Sequence, residues 1–364
     1  MNKHALVIGA GIHGLAVAVE LAKRKIKVTL LERNHDILLG TSNATHNRAH
    51  MGYHYPRSLE TARECIEGNR YFVEMLRDVL VYPGSAYYLV EKNESKVTAS
   101  EYAKFCEDAG LEYKLEWPDL CMLNRDNIEA SFMVEEPLYD VNILRRHYKK
   151  EIAKYDIELI CDYNLESVNI LSSNTLSLCS SKNNKQHYIV NLRADAIVNA
   201  TYALTNNVQR MFGIKNLCDY KLQTTEVPVV RCMKNIPQLT VMNGRFVTIF
   251  PYAGYKDLYL FYDVIHSVVC EQTGKIYVEP ETLTSNWELM KEHAKMYFPF
   301  MNSLEYVKSN WGTRPIPVNI VNDSRITRFK RHNEHTCFYS IMEGKFISAP
   351  IVAKQLVDKI WFEI

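Results

Sequence analysis

The nine cysteines of this 364-residue chain include no C-x-x-C pair, and their number is odd. A disulfide framework and a cysteine-rich zinc site are therefore not expected, no metal site is assigned, and scattered reduced thiols suit a cytoplasmic protein. Charge of neither sign predominates: 43 Lys and Arg stand against 42 Asp and Glu, a net charge of +1. There is thus no basic field to attract nucleic acid. No apolar run reaches the ~18 residues of a membrane span. With a strand pattern already under way at Ala5, no leader peptide is expected. Nothing repeats, and the Asn- and Lys-rich stretch from Ser180 to Gln186 reads as a surface turn. What remains is an ordinary globular composition, 47% hydrophobic and 23% charged, in a chain long enough for two lobes and a sizeable core.

The most informative presence is the opening. The apolar run His4 to Ile8 leads into Gly9-Ala10-Gly11-Ile12-His13-Gly14, a G-x-G-x-x-G. An Ala- and Leu-rich helical pattern follows from Leu15 to Lys25, and a second apolar run, Val28 to Leu31, ends in Glu32. Strand, glycine loop, helix, strand and an acid ~20 residues on make the fingerprint of a dinucleotide site. Gly9 permits the tight turn, Gly11 leaves bare backbone for a pyrophosphate, and Gly14 lets helix and strand pack closely. The helix start offers N–H groups and a positive dipole end to the phosphates. Glu32 accepts hydrogen bonds from the adenosine ribose. Ile12, His13 and Arg33 complete this cofactor-binding set.

Further along, Leu59 to Leu80, Lys96 to Ala109, Asn142 to Lys154 and Glu281 to Tyr297 carry helical patterns. Four short strand-like runs lie between Ile157 and Leu192. Ala194 to Ala200 reads as a buried parallel strand ending in Asn199-Ala200-Thr201, the way such a strand stops at a ligand edge. Gln223 to Val269 is dominated by strand patterns, and Tyr306 to Trp311 is a strand running into Gly312-Thr313-Arg314-Pro315. The chain closes on a strand, Phe338 to Met342, a turn, Glu343-Gly344-Lys345-Phe346, and a helix from Ala349 to Ile360. Both ends therefore build one nucleotide domain, with a β-rich lobe inserted between them and ligands expected between the lobes.

The opening fingerprint, the Asn199-Ala200-Thr201 strand end, the Trp311-Gly312-Thr313-Arg314-Pro315 motif and the terminal strand-turn-helix resemble, in order and spacing over nearly the whole length, the D-amino-acid-oxidase-like flavoprotein superfamily. The resemblance implies FAD as cofactor and an α/β fold. A Rossmann-like FAD-binding domain would comprise residues 1–84, 140–222 and 305–364, and an inserted β-rich α+β substrate domain residues 85–139 and 223–304. The chain has no Gly-Asp pair, which aromatic hydroxylases and glutathione-reductase-like enzymes place at the flavin ribityl chain, and no second fingerprint for a nicotinamide cofactor. The resemblance also implies roles along the chain. The hydroxyls of Thr41 and Ser42 would meet the pyrophosphate or ribityl, and backbone at Val168 the adenine. Ala200, Thr201, Gly312, Gly344, Lys345 and Phe346 would lie along the cofactor, and Arg314 would bind a substrate carboxylate through its planar fork. The helix end and ammonium at Lys345 would balance negative charge at the flavin's pyrimidine edge.

A narrower likeness covers Thr45 to Pro56 and Ser58 to Ala62, where His46-Asn47 and His50-Met51-Gly52-Tyr53-His54-Tyr55-Pro56 are similar to the corresponding segment of L-2-hydroxyglutarate dehydrogenases. This chain is two residues shorter between the histidine elements, has His54 where that family has tyrosine, and has Arg48 where it has small residues. If residues 46 to 54 are extended, period two places His46, Arg48, His50, Gly52 and His54 on one face, with Gly52 a flat patch for the flavin ring. An imidazole can take the proton that leaves a hydroxyl or amine as hydride passes to flavin N5. The candidate catalytic residues are His50, His54, Arg314 and Tyr252, with Tyr262 also placed to roof the pocket; His46 joins the cofactor set.

The expected function is FAD-dependent oxidation of a CH–OH or CH–NH bond of a small anionic metabolite, one with a carboxylate, tilted toward a 2-hydroxy acid. An amino-acid, amine or amino-sugar oxidase is the alternative. A non-catalytic nucleotide-binding protein that kept the fold, as guanine-dissociation-inhibitor-like proteins do, is the alternative of another class. A flavoprotein acting on RNA is disfavoured by the balanced charge.

Overall fold

The structure, a computed structural model, describes residues 3–182, 186–242, 244–318, 327–333, 337–342 and 344–364. Part of the expected surface turn near Ser180 and Glu343 of the expected C-terminal turn lie outside the described residues.

The nucleotide domain is built around a six-stranded sheet. Its order across the sheet is Arg328–His332, Phe338–Met342, Ala196–Asn199, His4–Ile8, Lys27–Leu31 and Glu158–Ile160. All neighbours are parallel except the first pair. Helices cover one face of this sheet, and a three-stranded antiparallel sheet with the short helix Thr205–Met211 covers the other, so its strands read as apolar runs: Leu6, Val7, Leu30, Ile197, Val198 and Phe338 are fully buried. The helix Ile12–Lys23 packs on the last helix, Ala349–Glu363, which brings the two ends of the chain together. The three-stranded antiparallel sheet comprises Asn164–Ser172, Thr175–Lys182 and Gln186–Arg193.

The second lobe is one nine-stranded sheet. Its long element is Tyr220–Arg231, paired along its whole length with Glu305–Pro317, from Tyr220 opposite Pro317 to Arg231 opposite Glu305. Residues 305–317, expected in the nucleotide domain, thus belong to the sheet of the second lobe. Their end at Gly312-Thr313-Arg314 touches the 3-10 turn Thr41–Asn43 of the nucleotide domain, where Thr41 Oγ1 donates to the Thr313 carbonyl at 3.2 Å. This strand carries Arg314 from one lobe into the seam with the other.

Two further expectations change. The helix read from Glu281 to Tyr297 is only Trp287–Ala294. Residues 275 to 286 form a loop instead, pinned by Asn207, which exchanges hydrogen bonds with Tyr277 through both its amide atoms, at 2.9 and 3.1 Å. The segment 46 to 54 is not extended. Asn47 has φ 54° and Gly52 φ 110°, and each left-handed residue turns the chain. Gly52 lies against the helix Leu59–Leu76, where an added Cβ would sit 3.1 Å from the Ala62 carbonyl oxygen. It provides close packing, not a bare patch facing a ring.

Candidate functional site

Two connected cavities run along the seam between the lobes, of about 500 and about 380 Å³. Thr41, Thr45, Tyr202, Gly344 and Phe346 line both. The larger follows the opening fingerprint and is walled by Gly9, Gly11, Ile12, His13, Glu32, Arg33, Thr41, Ser42, Ala200, Thr201, Gly312 and Gly344, all from the expected cofactor set.

The local geometry explains these positions. Gly9 has φ 98°, and its missing side chain makes room for the Ala200 carbonyl. A Cβ on Gly14 would overlap the Gly9 carbonyl oxygen. A Cβ on Gly11 would meet only the Ser42 hydroxyl, at 3.3 Å, so this backbone is open to the cavity. Ser42 Oγ accepts the Ile12 N–H at 3.1 Å, which ties the Thr41–Asn43 turn to the helix start. Glu32 is buried. One carboxylate oxygen accepts the Ala10 N–H at 2.8 Å and the other the Asn34 N–H at 2.9 Å, which fixes the group and leaves lone pairs for ribose hydroxyls. Arg33 bridges the mouth to Glu279, at 3.1 Å, on the loop from residue 275 to 286. An elongated groove with bare glycine backbone, a helix N-terminus at its middle and an oriented acid at one end fits the adenosine diphosphate half of FAD.

The smaller cavity is lined by His46, Arg48, His50, His54, Tyr55, Tyr139, Tyr262, Arg314, Lys345 and Phe346, among others. The histidines gather here although the chain bearing them is irregular. Phe346 stacks on Tyr139, rings parallel within 6° and centroids 4.0 Å apart, and forms part of the wall. Arg314 directs Nε and Nη2 to Gln223 Oε1, at 3.0 and 2.8 Å, and Nη1 to the Tyr262 hydroxyl at 3.3 Å. Its partners are neutral, so its charge remains available. Lys345 is paired with Glu64 at 2.7 Å and Arg48 with Glu136 at 3.3 Å. The charge expected from Lys345 is therefore largely balanced within the protein.

Burial and neighbouring cations keep His46 and His50 neutral. His46 is pushed down to about 3, first by burial and then by Arg48 and Arg314. His50 is held well below its ordinary value by burial, Arg48, His54, His46 and Lys345. In the larger cavity, burial takes His13 down to about 4. An unfolded chain protonates these rings as the pH falls through ~6.5, and the folded chain does not follow until much lower. Their contribution is complete above pH ~6.5 and is lost as the pH falls toward the folded values. Urea midpoints of the FAD-free protein should drop below pH 6.5 by the equivalent of about 1 kcal/mol per ring for the first unit of acid. The pH dependence should flatten in His46→Asn; an unchanged dependence would show that His46 is freely hydrated.

Two predicted residues lie elsewhere. Val168 pairs with Leu178 in the three-stranded sheet, and Tyr163, Asn164 and Leu165 line the far end of the groove in its place. Val168 therefore does not line the groove; the expectation was positional, because backbone recognition leaves no side-chain signature. Tyr252 packs with Val227, Val229 and Leu260 and lies against Tyr255 at 4.4 Å; Tyr262 reaches the cavity instead. Glu136, Gln223, Tyr202 and Tyr277 were missed. None stands in a motif, and only the fold brings them to the seam.

A two-lobed α/β fold with a dinucleotide groove opening into a cation- and histidine-lined cavity defines a flavin-dependent oxidoreductase. The family model described as FAD dependent oxidoreductase matches residues 4–359, and the chain belongs to this D-amino-acid-oxidase-type family. It is similar to the FAD-dependent monooxygenase kojA of Aspergillus flavus, 33% identical over 108 residues, and that match spans 28% of this chain and only a quarter of the relative's length. It is similar to the glycerol 3-phosphate oxidase of Mycoplasma genitalium, 22% identical over 97% of this chain and 93% of that one. The fold is shared with glycine oxidase from Bacillus cereus, with a TM-score of 0.76 at 14% identity, covering 100% of this chain and 96% of that one. The reading as a non-catalytic relative gives way to membership of an enzyme family. No helix among the described residues is long and apolar enough to cross a membrane.

Proposed function

We propose that this oxidoreductase acts on the CH–OH bond of a small anionic metabolite, a 2-hydroxy acid foremost. The observation that carries the reading is the pairing, in one cavity, of Arg314 held by neutral partners with the imidazoles of His46, His50 and His54. FAD, bound in the groove, supplies the hydride acceptor. The protein's own groups do the rest. Arg314 presents its remaining N–H groups to an anionic oxygen and fixes which carbon faces the seam. A neutral imidazole takes the hydroxyl proton. An ammonium, titrating at ~8 or above, can shed its proton to water before it reacts, whereas an alcohol keeps its proton until a base in the site takes it, so the histidine cluster favours CH–OH over CH–NH. The whole-length similarity to a protein named for oxidising glycerol 3-phosphate, an anionic alcohol, supports the same class.

An anaerobic screen for flavin bleaching with hydroxy acids, amino acids, amino sugars and phosphorylated alcohols tests the reading. Bleaching by amines alone would overturn it. With the substrate so found, Arg314→Lys should weaken binding by about 1.5–3 kcal/mol, the scale of a charged hydrogen bond, with FAD content unchanged. An unaltered KM would assign Arg314 to bridging the lobes.

A further inference from the structure

The floor of the smaller cavity is a buried polar network centred on Glu136, which is 2% exposed. Its two carboxylate oxygens have different partners. Oε2 faces Arg48 Nε at 3.3 Å and accepts the Tyr88 hydroxyl at 2.7 Å. Oε1 accepts the Met51 N–H at 2.9 Å and lies 3.8 Å from His50 Nδ1, which has no hydrogen-bond partner among the described residues. Arg48 is tied into the same network: Nη1 donates to Tyr88 at 2.7 Å, Nη2 to Thr240 at 2.8 Å, and its face lies over Phe250 at 4.1 Å. These contacts fix the guanidinium beside Glu136. The other two imidazoles have different surroundings. His46 sits edge-on to Tyr262 at 4.7 Å, and His54 packs on Phe246 at 4.8 Å.

We propose that His50 is the proton acceptor and that Glu136 is its positioning residue. The inference rests on the CH–OH reading above. His50 turns Nδ1 to Glu136, which leaves Nε2 for the cavity that the ring lines. With FAD in the groove as the two-electron oxidant that would take the hydride, the O–H proton would pass to Nε2 as the C–O bond becomes a carbonyl. Electrons and protons balance, with FAD as oxidant. The imidazolium so formed faces the cations Arg48 and Lys345, which oppose its charge. Glu136 is the one carboxylate within 4 Å of the ring among the described residues, and its anion offsets them. The network holds that anion on the His50 side through Oε1 and anchors it to the scaffold through Oε2.

The test uses the FAD-loaded full chain and has two readouts. By NMR of the imidazoles, His50 should titrate roughly 1 unit lower in Glu136→Gln than in the wild type, because an opposing anion has been removed. Tyr88→Phe, which deletes a neighbour of Glu136 without changing charge, should leave that titration in place, and Glu136→Asp should restore part of it should Glu136→Gln fold poorly. Anaerobic flavin reduction by substrate at pH 7 should fall tenfold or more in Glu136→Gln, with its low-pH limb displaced by the same amount. Identical His50 titration in wild type and Glu136→Gln would overturn the pairing, whatever the substrate. A shifted titration with unchanged reduction would keep the pairing and overturn proton transfer to His50, and with it this assignment of the base. A loss of FAD or stability without a shift would make Glu136 purely structural.

Discussion

Replacing His50 with Gln should leave FAD bound and slow anaerobic flavin reduction by about 10²–10⁴-fold, the usual range for general acid–base help. His50 lines the cavity that also holds Arg314, so a substrate anchored at the guanidinium lies within the same walls as the imidazole. The ring is neutral at pH 7 because burial, Arg48, His54, His46 and Lys345 all hold its proton affinity down. Wild-type reduction should therefore stay high to well below pH 6.5 and fall only where the ring protonates; in His50→Gln this acid limb should be missing. His54→Asn, altering a ring packed on Phe246, should lose less. Rapid-mixing reduction traces across pH decide the matter. Equal, wild-type-like traces from both variants would remove the histidine segment from the mechanism and direct attention to Tyr262, whose hydroxyl already meets Arg314. A structural role for His50 would appear instead as lower FAD occupancy, with normal reduction in molecules that retain the cofactor.

The legibility of this site in the sequence followed the locality of its determinants. The opening groove was readable because its strand, glycine loop, helix and acid are contiguous and each residue type answers a local demand. Ser42 and Arg314 were readable from short motifs whose backbone neighbours set their direction. The histidine cluster was found by an argument that the structure corrects. An extended strand would have put the rings on one face; the actual loop, turned at Asn47 and Gly52, gathers them by folding over the helix Leu59–Leu76. Glu136 shows the limit in the other direction. It is 86 residues from His50 along the chain and reaches the cavity floor only because the strand Ile128–Val134 pairs with Ala86–Glu91 beneath it. Nothing local distinguishes that carboxylate from Glu135, so its partners are a product of tertiary pairing. Tyr262 lies on the strand Leu258–Asp263 and Tyr252 just past the end of its neighbour Val247–Pro251, and only packing decided which one turned to the seam.

Gly11→Val separates cofactor binding from folding, because the three glycines of the fingerprint are constrained by different things. Gly14 is held by the chain itself: a side chain there would collide with the Gly9 carbonyl oxygen and push the first helix off its strand. Gly9 is held by its φ of 98° and by the Ala200 carbonyl beside it. At Gly11 the backbone is an ordinary helix N-cap with φ −72°, and a Cβ would meet only the Ser42 hydroxyl, at 3.3 Å. A Cβ there asks only the Ser42 hydroxyl to give by a few tenths of an ångström, and the rest of the valine side chain extends toward the groove where a pyrophosphate must touch bare backbone. The variant should fold with a urea midpoint close to that of the FAD-free wild type. It should purify colourless, with FAD affinity lower by about 10²-fold or more, the equivalent of roughly 3 kcal/mol of overpacking. Gly14→Ala should behave oppositely, with poor folding in the presence or absence of FAD. Equal FAD content in Gly11→Val and wild type, measured by flavin absorbance per folded chain, would show that the diphosphate does not lie on this loop and that the groove binds its ligand in another register.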